Sequence, residues 1–226
     1  MNAVNKKLFV NGIVKFLSGL ILVGLPLFLS AGSFAYWNAW LFMGILFIPM
    51  FIAGLILTKK NPYLLEKRLN AKEEQSEQKT VIALSGIMFL VGFVVAGLDY
   101  RFQWIKLPEW LVIVGAVVFV IAYGLYAEVL RENTYLSRTI EVQENQKVID
   151  TGLYGIVRHP MYAVTLILFL SMPIVLGSVI SFMIFLAYPF IIAGRIKNEE
   201  KVLEEGLAGY KEYKQKVKYR LVPFIW

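Results

Sequence analysis

The sequence predicts an all-α, polytopic integral membrane protein. It has about five to six transmembrane or hairpin helices and a cytoplasmic, amphipathic C-terminal helix. Three observations lead there. Of 226 residues, 58% are hydrophobic, against roughly 45–50% in soluble domains. Those residues fall into membrane-length blocks. The basic residues also separate cleanly by side: all 23 except Arg101 and Lys106 fall on one face of the implied topology. That asymmetry puts both termini in the cytoplasm. The net charge of +7 is therefore read as membrane topology and not as a nucleic-acid surface. Cysteine is absent, which excludes a disulfide framework, a thiolate nucleophile and a Cys-based metal site. With one histidine, no protein-built zinc or haem site is expected.

The first apolar block, 13–29, follows Lys6 and Lys7 and carries Lys15 near its start. It reads as a retained span, with a cleaved signal as the alternative. The second, 37–57, opens on a Tyr36–Trp37–Trp40 interfacial belt. Residues 59–79 form a charged loop of mixed sign, expected to be helical and solvated. Blocks 81–98 and 111–129 follow, joined by a loop over 99–109. These four spans make a scaffold over 1–130, and 131–226 forms the catalytic region. In that region, blocks 163–175 and 179–193, broken by Pro173, Gly177 and Ser178, read as a helical hairpin. Each arm is only about 20–22 Å long at 1.5 Å per residue, short of the roughly 30 Å hydrocarbon core. No repeat, low-complexity tract or long linker interrupts the chain.

Two stretches can carry chemistry. The first, Gly152 to Tyr162, reads GLYGIVRHPMY and sets Arg158 and the lone His159 at a membrane boundary, where charge is costly unless it meets water, protein or ligand. Pro160 biases His159 away from helical geometry and suits the first position of the next helix. The second, 195–217, reads as one amphipathic helix with Ile196, Leu203, Leu207, Tyr210 and Val217 on one face. Glu199 lies about 30° from the centre of that stripe, with Glu200 and Arg195 on its edges. A packed carboxylate needs a partner; Arg195 and a ligand group are the two candidates. Each residue also has a plain structural use: helix capping for His159, snorkelling for Arg158, belt aromatics for Tyr154 and Tyr162.

The order Gly152-x-Tyr154, Arg158-His159-Pro160-Met161-Tyr162, an apolar hairpin, Arg195-x-x-x-Glu199-Glu200, Tyr210-x-x-Tyr213 and Tyr219-Arg220-Leu221-Val222-Pro223 resembles the isoprenylcysteine carboxyl methyltransferase family. Its bacterial and archaeal relatives and the phospholipid N-methyltransferases share the likeness. The resemblance covers 131–226; the first 130 residues match only as generic spans. It implies a cytoplasm-facing S-adenosylmethionine site without a Rossmann domain, in a bacterial or archaeal cytoplasmic membrane. Gln146, Lys147, Val148, Ile149, Tyr154, Arg158, His159, Pro160, Met161, Tyr162, Glu199 and Glu200 would contact the cofactor. Arg195 and Glu199 would be catalytic, with Arg195 facing the substrate. Gln146 stands where the eukaryotic enzymes carry His, and Thr139 where they carry Gln; both can still hydrogen-bond.

The chemistry of these groups suits that cofactor. Arg158 or His159 can hold its carboxylate, Glu199 its ribose or ammonium, and Tyr154 and Tyr162 its adenine and sulfonium. A carboxylate acceptor needs orientation by Arg195 and no base. An amine acceptor needs a base, Glu199 or Glu200. The expected acceptor is a membrane lipid or isoprenoid molecule, with no metal and no nucleic acid involved. Competing readings are a phospholipid N-methyltransferase, a nicotinamide-dependent membrane sterol reductase, and a non-enzymatic lipid-handling protein. The methyltransferase reading requires His159 and Glu199 to converge on one pocket.

Overall fold

The structure is a computed structural model and describes residues 3–69, 76–137 and 139–226. The described residues form nine α-helices and a 3-10 turn, with no strand among them. The four predicted blocks lie inside longer helices: α1 (Ala3–Ala31), α2 (Trp37–Lys60), α4 (Ser76–Phe102) and α5 (Glu109–Glu132). Among the described residues, five helical stretches are long and apolar enough to cross a membrane. Their outer faces expose Ile21, Leu22, Leu29, Ile52, Ile113 and Ile121, among others. Such a continuous apolar surface suits lipid and not water. α1 packs along α4, and α5 along α6 (Pro160–Val175). The α1–α4 approach is close because Gly97 has no side chain: a Cβ there would sit 2.5 Å from the Leu27 carbonyl oxygen.

The charged loop contains the short helix α3 (Pro62–Leu69), as expected; residues 70–75 of that loop lie outside the described residues. α3 is docked, however, and not simply solvated. Leu64 and Leu65 are buried, the Tyr63 hydroxyl donates to Gln143 Oε1 at 2.9 Å, and Lys67 pairs with Glu141 at 2.8 Å. α4 runs past its predicted end because Asp99 is held within the bundle. Its carboxylate accepts from Ser178 Oγ at 2.6 Å and from the Ile105 amide at 3.1 Å.

The hairpin follows the prediction at its turn and departs from it in its second arm. α6 spans Pro160–Val175. α7 (Val179–Phe185) starts at Ser178, whose side chain caps the Ser181 amide. α8 (Tyr188–Gly206) then continues α7 after a two-residue break. Pro189 explains the break, since it has no amide to continue the ladder. Together α7 and α8 cover Val179–Gly206, 28 residues, about 42 Å at 1.5 Å per residue. The second arm is therefore long enough to cross and project beyond the bilayer.

This corrects the reading of 195–217 as one helix. Its first half belongs to α8, which ends at Gly206; Gly209 turns the chain in a left-handed conformation (φ 83°), and α9 (Tyr210–Lys216) follows. The predicted apolar stripe survives across the break, with Ile196, Leu207, Tyr210 and Val217 all buried.

Candidate active site

Residues 152–162 fold as a 3-10 turn over Gly152–Gly155 leading into α6. Gly152 is required there. It adopts φ 50°, and a Cβ would lie 2.3 Å from the Glu132 carboxylate. That carboxylate accepts from Thr151 Oγ1 at 2.8 Å and the Leu153 amide at 3.2 Å, tying the turn to the end of α5. The C-terminal tail clamps the other side: the Arg158 and His159 amides donate to the Tyr219 and Arg220 carbonyls, each at 2.9 Å.

Arg158 and Glu200 form a buried strut. Arg158 Nε donates to Glu200 Oε1, and Nη1 to the Val217 and Lys218 carbonyls, all at 2.7 Å. Arg220 Nε donates to Glu200 Oε2 at 2.9 Å, and His159 Nε2 lies 3.4 Å from Oε1. Glu200 is 3% exposed and does not line the main cavity. Glu200 is thus placed as an internal counter-ion, off the wall of that cavity. Arg158 reaches the cavity wall, with its Nε and Nη1 bonded to protein acceptors. Pro160 is also off the cavity wall; it is buried as the first residue of α6.

The other predicted residues line one cavity of about 660 Å³: Gln146, Lys147, Val148, Ile149, Tyr154, His159, Met161, Tyr162, Arg195 and Glu199. That volume lies in the range of small-molecule sites. His159 and Glu199 do face each other, with Nδ1 4.0 Å from Oε1. Tyr162 links the two candidate catalytic residues: its hydroxyl donates to Glu199 Oε2 and accepts from Arg195 Nε at 2.9 Å. Gln146 Oε1 accepts from the Gln143 amide at 2.8 Å, stiffening the loop that forms one wall. Tyr154 is held by Asn133 Nδ2 at its hydroxyl (3.0 Å) and by the Tyr213 hydroxyl at its carbonyl (2.7 Å).

Two residues of this region are missed by sequence reasoning as site residues. Gln78, at the start of α4, is fully buried and accepts from Arg195 Nη1 at 3.0 Å. Tyr210, on α9, lines the cavity and is 4% exposed. Among the described residues, Gln78 Nε2 and the Tyr210 hydroxyl are the buried side-chain atoms without a hydrogen-bond partner. Burial, reinforced by the negative charge of Glu200 and Glu199, pushes the Tyr210 hydroxyl far above the usual tyrosine range, so it stays a neutral donor.

The cavity has a polar and an apolar part, built from three helix faces. α8 presents Tyr188, Ile192, Arg195 and Glu199; α6 presents Tyr162, Thr165 and Phe169; α4 presents Ile82, Ser85 and Phe89. Each set repeats at helical spacing. At the polar end lie Arg195, Tyr162 and Glu199. The apolar end is closed by aromatic rings, with Phe169 edge-on to Phe89 at 4.8 Å and to Tyr188 at 4.6 Å. No group of three metal-ligating side chains occurs among the described residues.

Residues 111–205, from α5 to the end of α8, match the isoprenylcysteine carboxyl methyltransferase (ICMT) family. The chain is also similar to "Delta(14)-sterol reductase TM7SF2" of Mus musculus, 28% identical over 91 residues, which is 39% of this chain and 22% of that protein. The chain thus spans about a fifth of that relative's length.

Proposed function

We propose, starting from residues 111–205 belonging to the isoprenylcysteine carboxyl methyltransferase family, that the chain transfers a methyl group from S-adenosylmethionine to a membrane-borne acceptor. The observation that carries this reading is the two-part cavity. Its polar end offers hydrogen-bonding groups to a small polar cofactor, and its apolar end extends between membrane helices. The basic ends of the helices would face the cytoplasm.

The donor set fits the cofactor. Glu199 supplies a carboxylate whose Oε1 faces the cavity side of His159, suited to an ammonium or a ribose diol. The unpartnered Tyr210 hydroxyl supplies a donor. Tyr154 and Tyr162 supply aromatic faces, which attract a sulfonium as they do other cations. Bound there, S-adenosylmethionine would supply an activated methyl group. The protein's part is alignment and exclusion of water. Tyr162 serves the alignment: it fixes Arg195 and Glu199 relative to each other, so acceptor and cofactor contacts move as one unit.

A carboxylate acceptor would take the methyl group directly on an oxygen, with the departing sulfur keeping the bonding electron pair. No proton moves, so no base is needed. Arg195, held by Gln78 and Tyr162, orients the carboxylate through its planar donors. With an amine acceptor, Glu199 is the base within reach, because Glu200 is locked between two guanidinium groups.

A second reading, a nicotinamide-dependent reductase, is favoured by the similarity to the mouse sterol reductase. A 2′-phosphate would need free cationic donors, and Arg158 Nε and Nη1 already have protein acceptors. Calorimetry on the full chain in lipid nanodiscs separates the two. The methyltransferase reading expects S-adenosylhomocysteine to bind at micromolar concentration. Binding of a nicotinamide dinucleotide with none of S-adenosylhomocysteine would sink it.

A further inference from the structure

Residues 219–226 fold into a small knob beside the candidate site. The Arg220, Leu221 and Val222 amides donate to the Trp226 main-chain oxygen at 3.0, 2.9 and 3.2 Å, and the Ile225 amide donates to the Val222 carbonyl at 3.2 Å. Leu221 is buried, and Val222 and Trp226 pack against the main core. The base of the knob is therefore fixed, yet Phe224 and Ile225 at its tip are 88% and 81% exposed. Phe224 is also held at φ 66°, in the left-handed region that disfavours a bulky residue. After a proline such as Pro223, a turn position of that kind favours Gly or Asn. Phe stands there against backbone preference, with only the Tyr219 ring beside it, centroids 5.2 Å apart. An apolar tip built outward in this way calls for an apolar surface outside the protein.

The surroundings point to which surface that is. The Tyr219 and Arg220 carbonyls hold the Arg158 and His159 amides, and α6 begins at Pro160. The knob thus stands where the chain enters the apolar bundle. The residues leading into it are basic, Lys214, Lys216, Lys218 and Arg220, with no acid between them. A hollow of about 420 Å³ beside Arg220 also gathers Lys197, Lys201 and Lys211, against Glu200, Glu204 and Glu205. Apolar tips flanked by cations are the composition of an anchor in an anionic membrane interface. We propose that Phe224 and Ile225 insert into the boundary between headgroups and acyl chains at this end of the bundle, with anionic headgroups over the adjoining lysines. The anchor goes beyond the proposed reaction and holds whatever chemistry the cavity performs. It sets the depth of His159 below the bilayer surface, because the knob and His159 share a main-chain hydrogen bond.

The chain contains no cysteine, so one introduced at Phe224 or Ile225 takes a nitroxide label uniquely. The full chain in lipid nanodiscs is then probed with oxygen, which concentrates in lipid, and with a water-soluble nickel chelate. Glu144→Cys, at an exposed polar position, supplies the water reference. Ile121→Cys, at an exposed position on α5, supplies the lipid reference. In discs of phosphatidylcholine mixed with phosphatidylglycerol, the ratio of oxygen to chelate collisions at Phe224→Cys and Ile225→Cys should exceed that at Glu144→Cys by about fivefold or more, approaching that at Ile121→Cys. Either position suffices if the other variant fails to fold. Omitting phosphatidylglycerol, or adding salt, should lower the ratio by about twofold or more, because the attraction between lysines and headgroups is lost or screened. Ratios no higher than that of Glu144→Cys overturn the insertion. Spin–spin broadening between the labels of two chains would seat the tip on a second copy, and it overturns the proposal as well. A ratio indifferent to both lipid charge and salt overturns the part assigned to the lysines.

Discussion

The two ends of the helical bundle both bury polar side chains, but they satisfy them differently. At the end formed by Tyr36, Asn38, Asp99 and Ser178, the donors meet protein acceptors. The Tyr36 hydroxyl donates to the Leu176 carbonyl at 2.5 Å, Asn38 Nδ2 to the Val175 carbonyl at 3.1 Å, and Ser178 Oγ to Asp99 Oδ2 at 2.6 Å. At the opposite end, the Gln78 amide nitrogen and the Tyr210 hydroxyl have no partner. Buried polar groups are normally satisfied. A closed network holds helices together, whereas orphaned donors beside a cavity mark where a ligand completes the set. The same contrast recurs within one turn of α8, between Glu200, enclosed by protein, and Glu199, which faces the cavity.

The largest expected effect comes from the enclosed acid. Glu200→Ala leaves Arg158 and Arg220 without their shared counter-ion in a buried setting, and it should cost about 3–5 kcal/mol of stability. Thermal unfolding in detergent would show it as a large drop in Tm. A Tm like that of the wild type would remove the structural role assigned to this carboxylate. Its neighbour should behave in the opposite way. Glu199→Ala should leave Tm nearly unchanged and weaken S-adenosylhomocysteine binding by about 1.5–3 kcal/mol, the scale of a hydrogen bond to a charged group. If both variants lose stability equally, the distinction between strut and ligand contact fails.

The next two changes compare the bundle ends directly. Asp99→Asn keeps an acceptor oxygen but removes its charge, so it should lower stability by about 1–2 kcal/mol without altering cofactor affinity. Tyr210→Phe removes a hydroxyl that has no partner in the protein. It should leave stability intact or slightly raised and weaken cofactor-product binding by about 0.5–1.5 kcal/mol. Loss of stability with unchanged affinity would mean that the hydroxyl has a structural partner after all.

The sequence makes the membrane class legible because hydrocarbon thickness and the basic-residue bias constrain composition strongly. It also brings the 146–149 loop, Tyr154, His159, Tyr162, Arg195 and Glu199 to one cavity. It misorders the two acids. Helical periodicity ranks Glu199 as the more deeply placed, but burial of Glu200 depends on Arg158, 42 residues upstream, and Arg220, 20 residues downstream. No wheel drawn for one helix contains those partners. Gln78 is missed for the same reason: it is one polar residue at the edge of a charged loop, and its role rests on a contact 117 residues away. Its phase with Ile82, Ser85 and Phe89 is the available signal. The break after Gly206 is foreshadowed by two glycines three residues apart, since glycine just past a helix end commonly stops it.

The smallest effect sharpens where the site ends. Lys216 Nζ bonds Asp150 Oδ2 at 2.7 Å, joining α9 to the start of the GLYGIVRHPMY turn, but both side chains are substantially exposed. The hydrogen bond from Lys216 holds the Asp150 carboxyl below its ordinary value of 3.8. A carboxylate with a lowered folded-state pKa stabilises the fold above its unfolded value, and that contribution disappears as pH falls through the folded one. The stability difference between wild type and Lys216→Met should therefore be constant through the neutral range and vanish only below about pH 4. Carboxyl-carbon NMR on labelled aspartate should show the Asp150 midpoint rising toward 3.8 in that variant. Cofactor-product affinity should change by less than about threefold, because an exposed pair is screened by solvent and salt. A larger loss would extend the binding machinery beyond the buried cavity to the surface contact between α9 and the turn.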